Sequence, residues 1–291
     1  MTPNKNHCIP EQFVFGQVES RPVVVNFKGE PVTSDAGLIL IAELDRKREI
    51  TSRLAACFKD YREPNKVLHP VHSLIAQRIY GLIMGYEDIN DHETLRHDPI
   101  FALTVGKVIN SKRESFNLAG KSTLNRLEHC PEEVTSKENS RYHRIEYDSS
   151  AIETLLVELF LESYQKPPRQ IIVDLDVTDN LVQGNMENRL KEQKLDLQSD
   201  RTSTHTFEGN QLRLWFAAIA YILMNTMREK CLVHTEFQNV TIGTIRTKLL
   251  KLGAVITILQ RRILIAISSA CPYKDIFATI YECLSRLPYP G

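Results

Sequence analysis

The run Ile171-Ile172-Val173-Asp174-Leu175-Asp176-Val177 decides how this chain is read, together with the charged run Glu187-Asn188-Arg189-Leu190-Lys191-Glu192-Gln193-Lys194 that follows it. The first has the apolar density of a strand buried on both faces, as in a central sheet strand. Residues i and i+2 of a strand point the same way, so Asp174 and Asp176 share one face. Two carboxylates held close repel unless a proton or cation joins them. The hard, oxygen-seeking ions Mg²⁺ and Mn²⁺ suit such a pair. A strand end at which one Asp caps a turn accounts for the same residues, and at this point both readings stand.

The second run predicts a helix over Met186–Leu197. Glu187 and Lys194 are seven positions apart and fall on nearly one face. Glu187 can complete a metal site there, with Arg189 and Lys194 holding phosphate. A salt-bridged surface helix, with Glu187 and Lys191 as an ordinary i,i+4 pair, explains the same spacing.

Upstream, Val23 to Phe27 is β-rich, Lys28-Gly29-Glu30-Pro31 is turn-like, and Val32-Thr33 reads as a return strand, so a hairpin is predicted over Val23–Thr33. The first twenty residues look loosely structured. Ser34 or Asp35 is placed to cap a helix over Leu38–Lys47. Further helices are predicted at Thr51–Phe58, Val71–Met84 (ended by Gly85), Pro99–Val105, Ser122–Glu128 and Ile152–Tyr164. Gly106–Asn117 and Pro131–Asp148 read as connections. Downstream, helices are expected at Gln211–Arg228, Ile242–Leu252 and Asp275–Leu287, with a hairpin over Val255–Ser269.

Composition narrows the function classes. The 291 residues carry 36 basic and 36 acidic side chains, which excludes a globally basic binder but not a local basic face. Such a bias exists between Met186 and Arg262, where 12 Lys and Arg stand against 7 Asp and Glu, a difference of +5. The six cysteines form no C-x-x-C pair, so free thiols in a reducing cytoplasm are expected. Met1–Pro10 is polar and unlike a signal peptide. Leu214–Met224 and Ala254–Ile267 are too short or too polar to span a bilayer, so no membrane is expected. Gly120-Lys121-Ser122 has the end of a phosphate-binding loop, but Ser115 stands where its first Gly belongs and no buried strand precedes it; a polar loop is the reading. His92 and His97, set among Asp88, Asp91, Glu93 and Asp98, fit no standard zinc spacing and read as a solvated, capped helix junction.

Several ordered blocks then act together. They are Val32-Thr33-Ser34-Asp35-Ala36-Gly37, Gly85-Tyr86-Glu87-Asp88-Ile89-Asn90-Asp91, Leu95-Arg96-His97-Asp98-Pro99 and Ser122 to Glu128. After them come Asp174 to Asp179, Met186 to Gln193, Ser199-Asp200-Arg201-Thr202-Ser203, Asn210-Gln211-Leu212-Arg213-Leu214, and Ser268-Ser269-Ala270-Cys271-Pro272. Over nearly its whole length the chain resembles bacterial insertion-sequence transposases of the DDE type, the insertion-sequence 1380 family (DDE domain, group 1). The resemblance implies cut-and-paste DNA transposition with Mg²⁺ or Mn²⁺, DNA terminal inverted repeats as partner, and self or full-length transposase as a further one. It implies no small-molecule substrate. It makes Asp176 the first catalytic carboxylate. A Tyr-(2)-Arg-(3)-Glu-(6)-Lys signature falls with its Glu on Glu187 and its Lys on Lys194, but with Gln183 and Asn180 where Arg and Tyr belong.

Such enzymes have an RNase H-like core, a five-stranded mixed sheet with flanking helices. The first Asp lies on strand one, the second after strand four and the Glu on a later helix. Here only the ten residues Val177 to Met186 separate Asp176 from Glu187. Four more strands and two helices need about 60 residues, plus loops. The expectation is an in-frame deletion with its junction near Gly184, which removed the second Asp; Asp196 and Asp200 lie beyond the Glu helix and do not replace it. The fold expected is therefore mainly α with small β elements (α+β), holding an incomplete RNase H-like core of first strand and Glu-bearing helix. Residues 1–165 are expected to form an N-terminal helical region with an early β-hairpin, suited to DNA ends. Residues 166–185 hold the first core strand, and 186–291 the Glu helix, further helices and a β-hairpin. Asp176 and Glu187, with Asp174 able to add a ligand, are the candidate metal carboxylates. Arg189 and Lys194 are the candidate phosphate contacts.

Overall fold

The computed structural model describes residues 13–18, 21–25, 29–107, 118–133, 144–164, 166, 185–197, 199, 206–259 and 261–289. Its centre is a helix pair. Helix α3 (Val71–Ile83) carries Leu74, Ile75, Ile79, Tyr80 and Ile83 so densely that nearly every position is buried. It packs on the 25-residue α9 (Phe207–Cys231), whose Leu212, Phe216, Ile219, Leu223 and Met227 are fully buried. Each such side chain contributes about 1.5–3 kcal/mol on leaving water. The end of α3 is set by Gly85 at φ +84: the Gly85 N–H donates to the Leu82 carbonyl and the Tyr86 N–H to that of Gly81, the paired bonds of a Schellman cap.

Helices α1 (Leu38–Arg48) and α2 (Ile50–Ala56) are separated by Glu49 alone, in the left-handed region at φ 53. Buried Asp45 holds this turn, accepting from the Thr51 N–H at 2.9 Å and from the Tyr80 hydroxyl at 2.7 Å. Short helices α4 (His92–Leu95), α5 (Pro99–Thr104) and α6 (Lys121–Glu128) follow α3. Asp98 caps α5, accepting from the N–H groups of Ile100 and Phe101. Asp148 caps α7 (Ser149–Glu162) and Thr206 caps α9. Helix α8 (Asn185–Asp196) lies between them in sequence, and α10 (Ile242–Ile245), running into a π-helical turn over Arg246–Leu250, and α11 (Lys274–Arg286) complete the helices.

The strands form small antiparallel sheets. β1 (Phe13–Val18) pairs with β2 (Arg21–Val25), and β4 (Phe58–Asp60) with β5 (Ile145–Tyr147). β3 (Val32–Thr33), β6 (Ala254–Ile258) and β7 (Ile263–Ile267) make a three-stranded sheet with β6 in the middle. One hydrophobic cluster runs from Leu38 to Leu284, so early and late parts of the chain share a core.

The molecule is mainly helical with small sheets, as expected; among the described residues there is no five-stranded mixed sheet. The expected strand Ile171–Val177 lies outside the described residues. The hairpin over Val255–Ser269 is present as β6 and β7. The hairpin over Val23–Thr33 is not. Phe13–Val18, expected to be loose, is the strand that pairs with Arg21–Val25, and Val32–Thr33 pairs across the molecule with Ala254 and Val255. Ser34 and Asp35 make no side-chain cap on α1; Gly37 is its N-cap residue, and Asp35 is buried in an ion pair. The helix expected to reach Phe58 stops at Ala56 because Phe58 is buried at the start of β4. The connection Pro131–Asp148 contains β5, whose three residues are all buried.

The Ala36 and Gly37 N–H groups donate to the carbonyls of Leu252 and Leu250, which brings the backbone at Gly37 against the π-helical turn. A Cβ on Gly37 would lie 2.1 Å from the Leu249 carbonyl oxygen and 2.5 Å from the Leu250 Cα. Both are backbone atoms and cannot swing aside. Gly37→Ala is therefore expected to lower unfolding free energy by about 2 kcal/mol or more, read by denaturant titration. A variant within about 0.5 kcal/mol of the parent would show that this approach is not close in solution.

Candidate functional site

Three of the sequence blocks meet around one buried guanidinium. Arg78 donates from Nε to Glu128 Oε1 at 2.5 Å, and from its two Nη atoms to the Tyr86 and Glu87 carbonyls at 3.1 and 2.6 Å. Arg213 Nε stands 3.5 Å from the other Glu128 oxygen. The Gly85–Asp91 turn, helix α6 and the start of α9 are thereby tied to α3. A pair buried this deeply is costly to desolvate, and the two carbonyl bonds offset part of that by meeting further guanidinium protons.

A second cluster joins the two ends of the chain. The Asp35 carboxylate accepts from the Tyr86 hydroxyl at 2.9 Å and lies 3.0 Å from Lys251 Nζ, which also stands 3.8 Å from the centre of the Tyr86 ring. The Thr33 hydroxyl accepts from the Asp35 N–H and donates to Asp98. Burial raises the pKa of the Asp98 carboxyl above the ordinary value.

Helix α8 carries the predicted catalytic Glu. Its C-terminal half is docked on one side. Glu192 accepts from Arg228 Nη1 at 3.1 Å, and Arg228 also reaches Asn225 and the Val240 carbonyl. Asp196 accepts from the Gly243 N–H at 2.9 Å, and Arg246 donates to the Asp196 carbonyl and to that of Ile83. Leu197 is buried just beyond. Lys191, Lys194 and Leu195 are exposed on the other side. Position 187 precedes Lys191 by one turn and Lys194 by two, while position 189 stands in the same relation to Glu192 and Asp196.

The predicted residues are thus distributed as follows. Asp174 and Asp176 lie outside the described residues. Glu187 and Arg189 lie on the backbone of α8, and Lys194 is exposed on its last turn. Among the described residues no group of three or more His, Cys, Asp or Glu is placed to hold a metal. The arginines that position α8, Arg228 and Arg246, were not singled out in the sequence. The available signal for Arg228 was a charge inside the apolar run of α9; Arg246 gave none.

The family model for the transposase DDE domain, group 1, matches residues 15–185 and 181–289. The chain belongs to that family. Neither a comparison with curated proteins nor one with solved structures gives a match. Membership implies DNA binding and the use of a divalent metal. Among the described residues no helix is long and apolar enough to cross a membrane.

The acidic, histidine-bearing block between α3 and α5 has a structural part in this transposase-family chain. Asp88 caps the turn Ile89–Asp91, as expected of a capped junction. The junction is not solvated at His92, which is fully buried. Gln77 pairs with the Ala119 backbone through both amide atoms and also contacts His92 Nδ1 at 3.1 Å. With the amide as donor there, the ring is neutral with its proton on Nε2. Burial and the Arg78 charge lower its pKa to about 3. An unfolded chain protonates this ring near pH 6.5, so below that pH the unfolded state binds more protons and stability falls. At pH 5 the expected loss from this group is about 2 kcal/mol relative to pH 8. His92→Gln should remove that share of the pH dependence and leave the share due to His69, whose pKa is lowered to about 4 and which acts over the same range above pH 5. Equal slopes in parent and variant would show that His92 is not buried neutral.

Proposed function

We propose that this chain is a cut-and-paste transposase of the insertion-sequence 1380 group, bacterial in origin, that has lost the middle of its catalytic core. It retains DNA-end binding without strand cleavage. The carrying observation is that the family model matches in two segments meeting at residues 181–185. That is where the sequence places a junction, beside Gly184. Ten residues separate Asp176 from Glu187 where the family's core needs several more strands and helices. The second Asp goes with the missing segment.

In an intact enzyme of this type, carboxylate-held divalent ions activate water and then a DNA 3′-hydroxyl for attack on phosphodiester bonds. This chain supplies Asp176 and Glu187, with Asp174 as an added ligand. Those oxygens suit Mg²⁺ or Mn²⁺ in kind, but without the third carboxylate the site is short of ligands. Calorimetric titration with Mn²⁺ is expected to show millimolar binding or none. A tight isotherm abolished by Asp176→Ala would mean that a complete site exists.

DNA retention depends on phosphate contacts from Lys and Arg. Lys194 is exposed two turns along α8 from position 187, and Arg189 is the second candidate. A chain that occupies DNA ends without cutting them would compete with, or join, a full-length transposase. The test is a gel shift on the element's own terminal repeat against scrambled DNA over a salt series, with nicking scored in the same lanes with Mn²⁺. The expected result is retention without nicking, with a log–log salt slope of about −0.9 per phosphate contacted. Lys194→Ala should weaken binding to all sequences alike and reduce the slope by about 0.9. No retention at low salt would leave a non-functional relic, and specific nicking at the repeat end would overturn the truncation.

A further inference from the structure

The sheet of β3, β6 and β7 ends on an unusual edge. β7 is Ile263-Leu264-Ile265-Ala266-Ile267, and no strand lies on its outer side among the described residues. Exposed edge strands invite pairing, and folded proteins blunt them with charge, proline or a bulge. β7 has none of these. It pairs with β6 in unbroken register from Ile258↔Ile263 to Ala254↔Ile267. Ile263 and Leu264 are 41% and 45% exposed, values that an apolar strand with no partner would have to carry in water.

The register fixes which backbone groups point outward. The Leu259 N–H donates to the Arg262 carbonyl, so hydrogen-bonded pairs alternate from there to Thr257–Leu264 and Val255–Ala266. On the other edge of β6 the Ile256 N–H donates to the Pro31 carbonyl, as this alternation requires. The N–H and C=O groups of Ile263, Ile265 and Ile267 therefore face away from β6.

We infer that β7 is a self-association surface whose occupant is β7 of a second copy of this chain, antiparallel about a two-fold axis at Ile265. The strand reads almost the same in both directions, which is what such an axis demands of an isologous contact. Centred on Ile265, the pairing sets Ile263 against Ile267 of the other copy and Ile265 against itself. Those are the three residues whose backbone groups face outward, so every N–H and C=O among them meets a partner. Leu264 falls opposite Ala266, a large residue beside a small one. Beyond the strand, Arg262 and Arg261 face Ser268 and Ser269 of the other copy, so no like charges oppose.

The side chains agree with the backbone. Ile265 and Ile267 line a groove of about 610 Å³ with Leu40 of α1 and Phe277, Tyr281 and Leu284 of α11, apolar on this side and bordered by Glu43, Arg46 and Lys47 of α1. In the paired arrangement the second copy's odd-numbered isoleucines lie on the same sheet face, along the mouth of that groove. Val255 and Leu264, exposed on the opposite face, join their counterparts in one continuous sheet surface. Among the described residues the outer edge of β3 has no partner and is two residues long, too short to extend the sheet, so assembly closes at the dimer. This surface does not depend on whether the catalytic core is truncated.

The experiment uses the full chain in light scattering coupled to gel filtration. A mass of twice 33.4 kDa is expected across micromolar concentrations. Ile265→Pro removes the N–H at the axis and should give the monomer mass with unchanged far-ultraviolet circular dichroism. Should that variant not fold, a second pair decides. Ile265→Cys should yield a disulfide-linked dimer under mild oxidation, whereas Thr257→Cys, on the inner strand, should yield no more than the parent. A monomeric parent, open-ended assembly, a dimer that survives Ile265→Pro with its fold intact, or equal cross-linking of the two cysteine variants would each overturn the proposal.

Discussion

The carboxylate of Asp35 is the point on which the molecule closes. It is 1% exposed, and it holds Tyr86 and Lys251, residues far from it and from each other in sequence. An unpaired buried carboxylate would cost several kcal/mol, so the charge forces its partners to be present together. Through them the N-terminal block, the turn after α3 and the entry to the β6–β7 hairpin are fixed in one place. The Thr33 hydroxyl extends the tie to Asp98 and hence to the start of α5. All of these contacts lie outside the segment around Gly184.

Three arginines follow a common plan. Arg78, Arg228 and Arg246 each use the guanidinium fork to bind side-chain or backbone oxygens from separate elements. Lysine could not do this, since its point charge lacks the planar set of donors. Two of the three act on α8. The helix with the candidate Glu is thus held by its far end, through Glu192, Asp196 and Leu197, while Lys191 and Lys194 are left to solvent.

What the sequence disclosed was largely local. The dense apolar stripe of α3, the glycine that ends it and the alternation of β6 and β7 are properties of a few consecutive residues. Pairing between distant segments is not. Nothing near Val32 says that its neighbour is Val255 rather than Val25, and a two-residue strand has no periodicity to read. Asp35 looked like a cap because caps are the commonest use of an Asp before a helix; its partner lies more than two hundred positions away. His92 sat in a polar stretch, yet one buried face of a short helix was enough to enclose it. The candidate site is a reading of residue types and order alone, since Asp174 and Asp176 lie outside the described residues. Its supports were not legible: Arg228 meets Glu192 by the packing of α8 on α9, and neither residue signals the other.

The π-helical turn Arg246–Leu250 has a consequence for how the last part of the chain is aimed. A π-turn amounts to one residue more than an α-helix would use over the same rise. Each residue of an α-helix turns the chain by about 100°. Losing a single residue here would therefore rotate everything after it by roughly a quarter of a revolution. Lys251 would leave Asp35, and β6 would lose its register with β3. The direction of the whole C-terminal hairpin is thus set by one surplus residue in a short helix, which acts as the angular index of the fold.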